Sequence, residues 1–139
     1  MTAVIDSGVL YALVDAGDSL HDECVAAVSD ERETIVVPMP TLPEVCTLIG
    51  SRLGSSRETA FIRYLADSDW RLEPLAGSDI PRVLSIMSEA ADHGIGFADA
   101  AVATIAERMG AVRIYTLDRR HFEIVRPRHV ERFELLPHR

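Results

Sequence analysis

The chain has 139 residues, the length of one ordinary domain, and its 47% hydrophobic content is sufficient for a buried core. Its formal net charge of −8 has the wrong sign for a protein that binds nucleic acid through overall charge. All fourteen basic residues are arginine, and lysine, asparagine and glutamine are absent. The composition therefore excludes a Walker P-loop, a Schiff base, a catalytic lysine and recognition of adenine edges by amide side chains.

The sequence carries no sign of export or membrane insertion. No basic segment precedes an apolar one, and no apolar stretch approaches the roughly 20 residues that span a bilayer. Cys24 and Cys46 form no CxxC pair, so reduced structural thiols are favoured over a disulfide or a zinc site. We therefore predict a cytoplasmic protein without membrane contact.

Strand-like and helix-like patterns alternate along the whole chain, without repeats or a linker. In chain order, the patterns predict a strand over 1–5, helices over 7–14 and 19–31, a strand over 34–37, helices over 42–53 and from 55 past 65, a short strand over 70–73, helices over 79–92 and 98–109, a strand over 112–117, a short turn over 119–122 and an edge strand over 133–136. This alternation predicts a single α/β domain over 1–139: a three-layer α/β/α sandwich around a mainly parallel sheet.

Two of the predicted buried strands end on a carboxylate, Asp6 and Asp118. Open α/β sheets bind ligands at the carboxyl ends of their strands, so both positions are candidates for a site. Structural alternatives exist, because Asp6 can cap the following helix and Asp118 can form an Asx-turn. Ser7 can cap that helix equally well, however, so capping does not require Asp6.

Two further acids, Glu44 and Asp99, are predicted near helix starts. Thr41 and Glu44 fit a capping box, in which the glutamate bonds back to the backbone of the cap residue. Glu44 also precedes Leu48 by four residues, which places its side chain on or beside an apolar stripe. Asp99 is followed by small apolar residues at helical spacing and is expected to point inward. Both acids can thus serve either structure or a site.

Four converging carboxylates repel one another unless some protonate or a cation neutralises them. Oxygen ligands favour Mg²⁺ or Mn²⁺ over zinc, and such an ion can hold phosphate oxygens in an acidic protein. Among the histidines, His121 is next to the predicted site and can touch substrate or be a plain turn residue. His21, Glu23 and Cys24 do not share a helix face, which argues against a metal cluster there.

The sequence resembles PIN domains, and among them the small VapC-type toxins of bacterial type II toxin-antitoxin pairs. Four segments, in the order of the family and spread over nearly the whole chain, carry the resemblance: Val4-Ile5-Asp6-Ser7, Pro43-Glu44-Val45, Gly96-Phe97-Ala98-Asp99-Ala100-Ala101 and Tyr115-Thr116-Leu117-Asp118-Arg119-Arg120-His121-Phe122. Each segment is weak alone, whereas the set is specific. Residues 57–92 match poorly, and no functional residue is carried over there.

The resemblance implies a metal-dependent endoribonuclease, usually a homodimer, that is inhibited by a cognate antitoxin at the groove of the active site. The carboxylates of the family fall on Asp6, Glu44, Asp99 and Asp118, and its hydroxyl positions on Ser7 and Thr116. We hypothesise that Asp6 and Asp99 hold Mg²⁺ (or Mn²⁺), with Glu44 and Asp118 as direct or water-mediated ligands, for hydrolysis of RNA phosphodiesters. Arg119 and Arg120 are candidates for phosphate contact, or else solvated turn residues.

Two other interpretations compete with this one. Phosphoaspartate receivers and haloacid-dehalogenase-like phosphatases require a lysine, and the latter also require an aspartate where this chain has Gly8. A PIN-like RNA-binding or scaffold domain without catalysis remains as the alternative, and the complete acidic set argues against it.

Overall fold

A computed structural model of the chain describes residues 1–138. Over these residues the backbone forms one five-stranded sheet in the order β3-β2-β1-β4-β5, and every pair of neighbouring strands is parallel. The strands are β1 (Thr2–Ile5), β2 (Thr34–Pro38), β3 (Arg71–Glu73), β4 (Arg113–Tyr115) and β5 (Glu134–Leu136). The predicted parallel α/β sheet is therefore confirmed.

Seven α-helices connect and flank these strands over residues 1–138. They are α1 (Ser7–Val14), α2 (His21–Ser29), α3 (Leu42–Leu53), α4 (Ser55–Asp67), α5 (Ile80–Glu89), α6 (Phe97–Arg108) and α7 (Arg119–Ile124), with short 3₁₀ turns at Met39–Thr41, Gly77–Asp79 and Ala91–His93. No helix in this part of the chain is long and apolar enough to cross a membrane.

The sheet buries a separate apolar cluster on each face, which gives the predicted three layers. Alternate residues of a strand point to opposite faces, so Val4 of β1 packs with α5 and α6 while Ile5 packs with α1, α3 and α4. Helix α6 approaches the sheet closely because its inner face is mostly alanine, and residues 100–106 are all buried. This close packing fixes where the start of α6 lies relative to the strands.

The centre of the sheet is also the point where the chain reverses its direction of travel. It runs from β1 outward to β2 and β3, then returns to the other side of β1 with β4 and β5. In the register between β1 and β4, Ile5 lies opposite Tyr115, and the Asp6 N–H donates to the Tyr115 carbonyl at 2.8 Å. Crevices at such switch points are where open α/β sheets bind ligands.

Several local expectations are wrong. Asp6, not Ser7, is the N-cap of α1, since its carboxylate accepts a hydrogen bond from the Ser7 N–H. The segment after Asp118 is the six-residue helix α7 rather than a turn, because Phe122 is buried against the sheet and anchors it. The helix predicted over 79–92 is shorter, because α5 ends at Glu89 and a separate 3₁₀ turn follows at Ala91–His93.

Candidate active site

The four predicted acids all lie at helix starts at the carboxyl edge of the sheet. Asp6 is the N-cap of α1 and Asp118 the N-cap of α7, while Glu44 and Asp99 are in the first turns of α3 and α6. All four line one pocket of ≈ 520 Å³, together with Ser7, Gly8, Thr41, Gly96, Ala98 and Leu117. The structure therefore brings the four carboxylates together, and the positive ends of α1, α3 and α6 favour negative charge there.

A short hydrogen-bond chain joins the two strand-ending aspartates. The Thr116 hydroxyl donates to Asp6 Oδ2 at 3.0 Å and accepts from the Asp118 N–H at 3.0 Å. The other oxygen of Asp6, Oδ1, accepts from the Ser7 N–H at 2.8 Å. Thr116 is thus placed to orient both acids, as the hydroxyl position implied, whereas Ser7 contacts Asp6 through its backbone.

Asp6 is a buried acid that has no cationic partner among residues 1–138. Its residue is only 6% exposed, and burial raises the pKa of its carboxyl from 3.8 to about 6. The hydrogen bonds from Ser7 and Thr116 lower this pKa, and the charges of Asp99 and Glu44 raise it further. A carboxylate in this setting is costly to ionise unless a cation compensates it.

Asp6→Asn is therefore expected to stabilise the metal-free protein at pH 8 by about 2–3 kcal/mol. The folded state holds the proton of Asp6 more tightly than the unfolded state does, so this carboxyl contributes stability below pH 3.8 that is lost as the pH rises through about 6. Urea denaturation with a chelator at pH 8 and pH 4 measures the effect, which should be small at pH 4. A variant less stable than wild type at pH 8 would contradict it.

His121 bridges the other two aspartates. Its Nδ1 lies 2.8 Å from Asp99 Oδ2 and 2.7 Å from Asp118 Oδ2, and the three side chains are partly exposed. Burial and the charge of Asp118 raise the pKa of Asp99, and the contact with His121 lowers it; the net direction is upward. Burial lowers the pKa of His121, but the two aspartates outweigh it and the net direction is upward. Of the residues described, only these three form a group of His, Cys, Asp or Glu ligand atoms within 4.8 Å of one another.

Glu44 differs from the expectation for it. The residue is exposed rather than packed beside the apolar stripe, and the capping box does not form. The Thr41 hydroxyl donates instead to the Pro38 carbonyl at 2.7 Å. Within residues 1–138 no hydrogen bond or ion pair engages the Glu44 carboxylate, which leaves it available at the rim of the pocket.

The two arginines after Asp118 have separate surroundings. Arg119 Nη1 donates to the carbonyls of Leu135 and Pro137, both at 3.1 Å, so this side chain fastens the end of β5 instead of facing the acids. Arg120 is exposed and lines a neighbouring pocket of ≈ 470 Å³ that also contains His121. Of this pair, Arg120 is therefore the one that shares a pocket with His121.

Sequence reasoning gave too little weight to His121. Its signal is a spacing of three residues from Asp118, which puts both side chains on one face only if the segment is helical. The Nδ1 atom of another histidine, His21, contacts the Ala12 carbonyl at 2.7 Å.

Together these features define an α/β domain with an acidic pocket at its topological switch point. The donor set fits a divalent cation, because Asp6 is buried with no cationic partner in the described part of the chain and three more carboxylates line the same pocket. The model of the PIN domain family matches residues 3–126. The chain belongs to the PIN domain family.

Similar proteins agree with this assignment. The chain is 33% identical over 134 residues to Ribonuclease VapC26 of Mycobacterium tuberculosis (strain ATCC 25618 / H37Rv). This alignment covers 96% of the chain and 99% of that relative. The fold is similar to the structure of M. tuberculosis VapC20, described as a sarcin-ricin loop cleaving toxin, with a TM-score of 0.79 at 17% identity over 87% of this chain and 92% of that one. VapBC2 from Rickettsia felis, solved with a promoter DNA fragment, gives a TM-score of 0.73 at 13% identity over 99% and 100%.

Proposed function

We propose that this protein is a cytoplasmic, metal-dependent endoribonuclease, the toxin of a toxin-antitoxin pair, that hydrolyses RNA phosphodiester bonds with Mg²⁺ or Mn²⁺. The observation that carries the proposal is the convergence of Asp6, Glu44, Asp99 and Asp118 in one pocket of a PIN domain. The relative named as a ribonuclease supports the reaction type, since it aligns along nearly the whole chain.

We assign a separate role to each residue of the site. Asp6 and Asp99 would bind the cation, and Glu44 and Asp118 would complete its oxygen ligands directly or through water. Bound there, the ion would lower the pKa of the attacking water and offset charge on the phosphate. Thr116 keeps the Asp6 carboxylate oriented through its hydroxyl, and Arg120 is placed to contact a phosphate beside the acids.

Cleavage of total cellular RNA by the purified protein tests this function. We expect cleavage with Mg²⁺ or Mn²⁺, abolished by a chelator and restored by adding either ion back, with new RNA ends mapped by sequencing. Cuts at one defined position would also identify the substrate. RNA binding without any metal-dependent cut would overturn the nuclease and favour the alternative of a PIN-like binding or scaffold domain.

The family resemblance implies an antitoxin at the groove of the active site, and we propose that it also occupies an apolar groove between α1, α2 and α4. It has a volume of ≈ 410 Å³, and its lining is largely apolar: Leu10, Leu13, Val14, Val25, Val28, Ser29, Arg57, Ala60, Phe61, Tyr64 and Trp70. Two of these large apolar residues are exposed to solvent, Val25 at 38% and Tyr64 at 55%. Several structures with the same fold, including the one from Rickettsia felis, contain a toxin with its partner, and an amphipathic antitoxin segment suits such a groove.

Val25→Ser is expected to weaken binding of the antitoxin at least about fivefold, since interface anchors contribute about 1 kcal/mol or more each. The antitoxin is taken as the product of the neighbouring small gene, and binding is measured by titration of the purified pair. Leu84→Ser is the matched control, because Leu84 is 63% exposed on α5, away from the groove.

Equal affinity of Val25→Ser and wild type would contradict the assignment of the groove. The homodimer implied by the family resemblance remains a prediction, which sedimentation of the isolated chain tests. If Val25→Ser changes the sedimentation of the isolated chain, the groove is a dimer contact and the antitoxin binds elsewhere.

A further inference from the structure

The histidine between Asp99 and Asp118 is placed as a metal ligand. Resting on the proposed function, we propose that His121 binds the divalent cation directly through Nδ1, together with Asp99 and Asp118. The site would then have a mixed nitrogen and oxygen donor set, rather than the carboxylates alone that the sequence predicts. This assignment concerns which atoms hold the ion, and the nuclease activity itself does not depend on it.

The spacing of the three atoms suits a single ion. Nδ1 lies 2.8 Å from one carboxylate oxygen and 2.7 Å from the other, and all three ligand atoms are within 4.8 Å of one another. Adjacent ligands of an octahedral ion with bonds of about 2.1 Å are about 3 Å apart. The two nitrogen-to-oxygen separations thus nearly match edges of such a coordination shell, and small movements would admit the ion.

The hydrogen bonding of His121 differs from that of two histidines that serve structure. His21 Nδ1 and His129 Nε2 each contact a single backbone carbonyl at 2.7 Å, the carbonyls of Ala12 and Ala111. His121 instead directs Nδ1 at two carboxylate oxygens. One N–H cannot donate a full hydrogen bond to two acceptors, whereas a cation between the three atoms would satisfy all of them.

The position of the ring is set by the fold. His121 is in α7, three residues after Asp118, so the two side chains share a face of the helix. Phe122, 1% exposed in the core, fixes the rotation of this short helix. Asp99 approaches from the start of α6, which packs closely on the sheet. Side chains from the starts of two separately anchored helices, α6 and α7, therefore meet here.

An imidazole ligand changes the expected metal preference. Imidazole nitrogen favours transition metals, while carboxylate and water ligands suit Mg²⁺ and Mn²⁺ alike, so His121 would shift the site towards Mn²⁺. His121→Ala is expected to weaken Mn²⁺ binding at least about tenfold, on the scale found for disturbed metal sites, and to weaken Mg²⁺ binding less.

Pulsed electron paramagnetic resonance of the full-length protein with Mn²⁺ tests the inference without reference to activity. We expect the wild type to show a directly bound ¹⁴N nucleus, replaced by a ¹⁵N signal when histidine is labelled. The coupling should vanish in His121→Ala and persist in His93→Ala, the matched control in the neighbouring pocket.

Bound Mn²⁺ without nitrogen coupling, or coupling that survives in His121→Ala, would overturn the ligand assignment while RNA cleavage and the proposed function stand. Failure of the wild type to bind Mn²⁺ at all would overturn this inference and also the metal site on which the proposed function depends. The labelled wild type alone shows whether Mn²⁺ binds and whether a histidine nitrogen is coupled to it, so these two outcomes do not require the variant to fold.

Discussion

Replacing Asp99 with asparagine is expected to reduce RNA cleavage by about 100- to 1,000-fold, the scale of losing one electrostatic group from an active site. Asp99 is the acid that connects the others: its charge acts on Asp6, and its Oδ2 contacts His121, which also contacts Asp118. The amide keeps the shape of the side chain and removes its charge. Initial rates of cleavage of a defined RNA at saturating Mn²⁺ provide the measurement.

Asp6→Asn should reduce cleavage to a similar extent, although it is expected to stabilise the metal-free fold. That combination separates loss of chemistry from loss of structure. Asp92→Asn is the matched control for charge, because Asp92 is exposed in the 3₁₀ turn before α6 and lies outside the acidic pocket. Wild-type rates in both Asp6→Asn and Asp99→Asn would show that these carboxylates do not serve catalysis.

Glu31→Gln is expected to destabilise the fold by about 2–4 kcal/mol at pH 7, somewhat less than the roughly 3–5 kcal/mol for breaking a fully buried ion pair, because the Arg113 side chain is 28% exposed. The Glu31 side chain is 3% exposed, and its carboxylate accepts hydrogen bonds from Nε and Nη2 of Arg113 at 2.9 and 2.8 Å. Tyr115 donates a further hydrogen bond to it at 2.8 Å. This cluster joins the end of α2 to strand β4, whose far end leads to Asp118.

The pH dependence of this pair follows from the pKa of Glu31. The hydrogen bonds from Arg113, working against burial, lower that pKa from 4.5 to about 2. The stabilisation is therefore complete above pH 4.5 and is lost as the pH falls towards 2. Urea denaturation should show the gap between wild type and Glu31→Gln narrowing over this range.

Glu33→Gln supplies the comparison for that experiment. Glu33 also contacts Arg113, at 3.3 Å, but its side chain is 29% exposed and makes a single contact with the guanidinium. We expect a loss of less than about 1 kcal/mol there, as for other partly exposed pairs. Equal losses for the two variants, or a loss for Glu31→Gln that does not change with pH, would contradict the assigned role.

Much of the site was predictable because its parts are local in the sequence. A buried strand followed by an acid and a helix start is legible at Asp6, and the small apolar face behind Asp99 indicates close packing on a sheet. Parallel topology then requires the strand ends to meet at one edge. The convergence of the four acids follows from these separate local features.

The parts that escaped prediction depend on contacts distant in the chain or on very short elements. Helix α7 has six residues, too few for a periodic pattern, so the shared face of Asp118 and His121 was not visible. The role of Arg119 requires the position of β5, and the partner of Arg113 is 82 residues away. The sequence around Glu44 indicates a capping box with Thr41. In the structure the Thr41 hydroxyl donates to the Pro38 carbonyl instead, so this capping box does not form.

The central claim is that four carboxylates from four helix starts form one shared cation site. Calorimetric titration of Mn²⁺ into the metal-free protein tests it most directly, with Asp6→Asn, Glu44→Gln, Asp99→Asn, Asp118→Asn and the control Asp92→Asn measured beside the wild type. We predict that each of the four site variants weakens binding, with Asp6 and Asp99 having the largest effects, while Asp92→Asn binds as the wild type does. Wild-type affinity in the four site variants would contradict the claim.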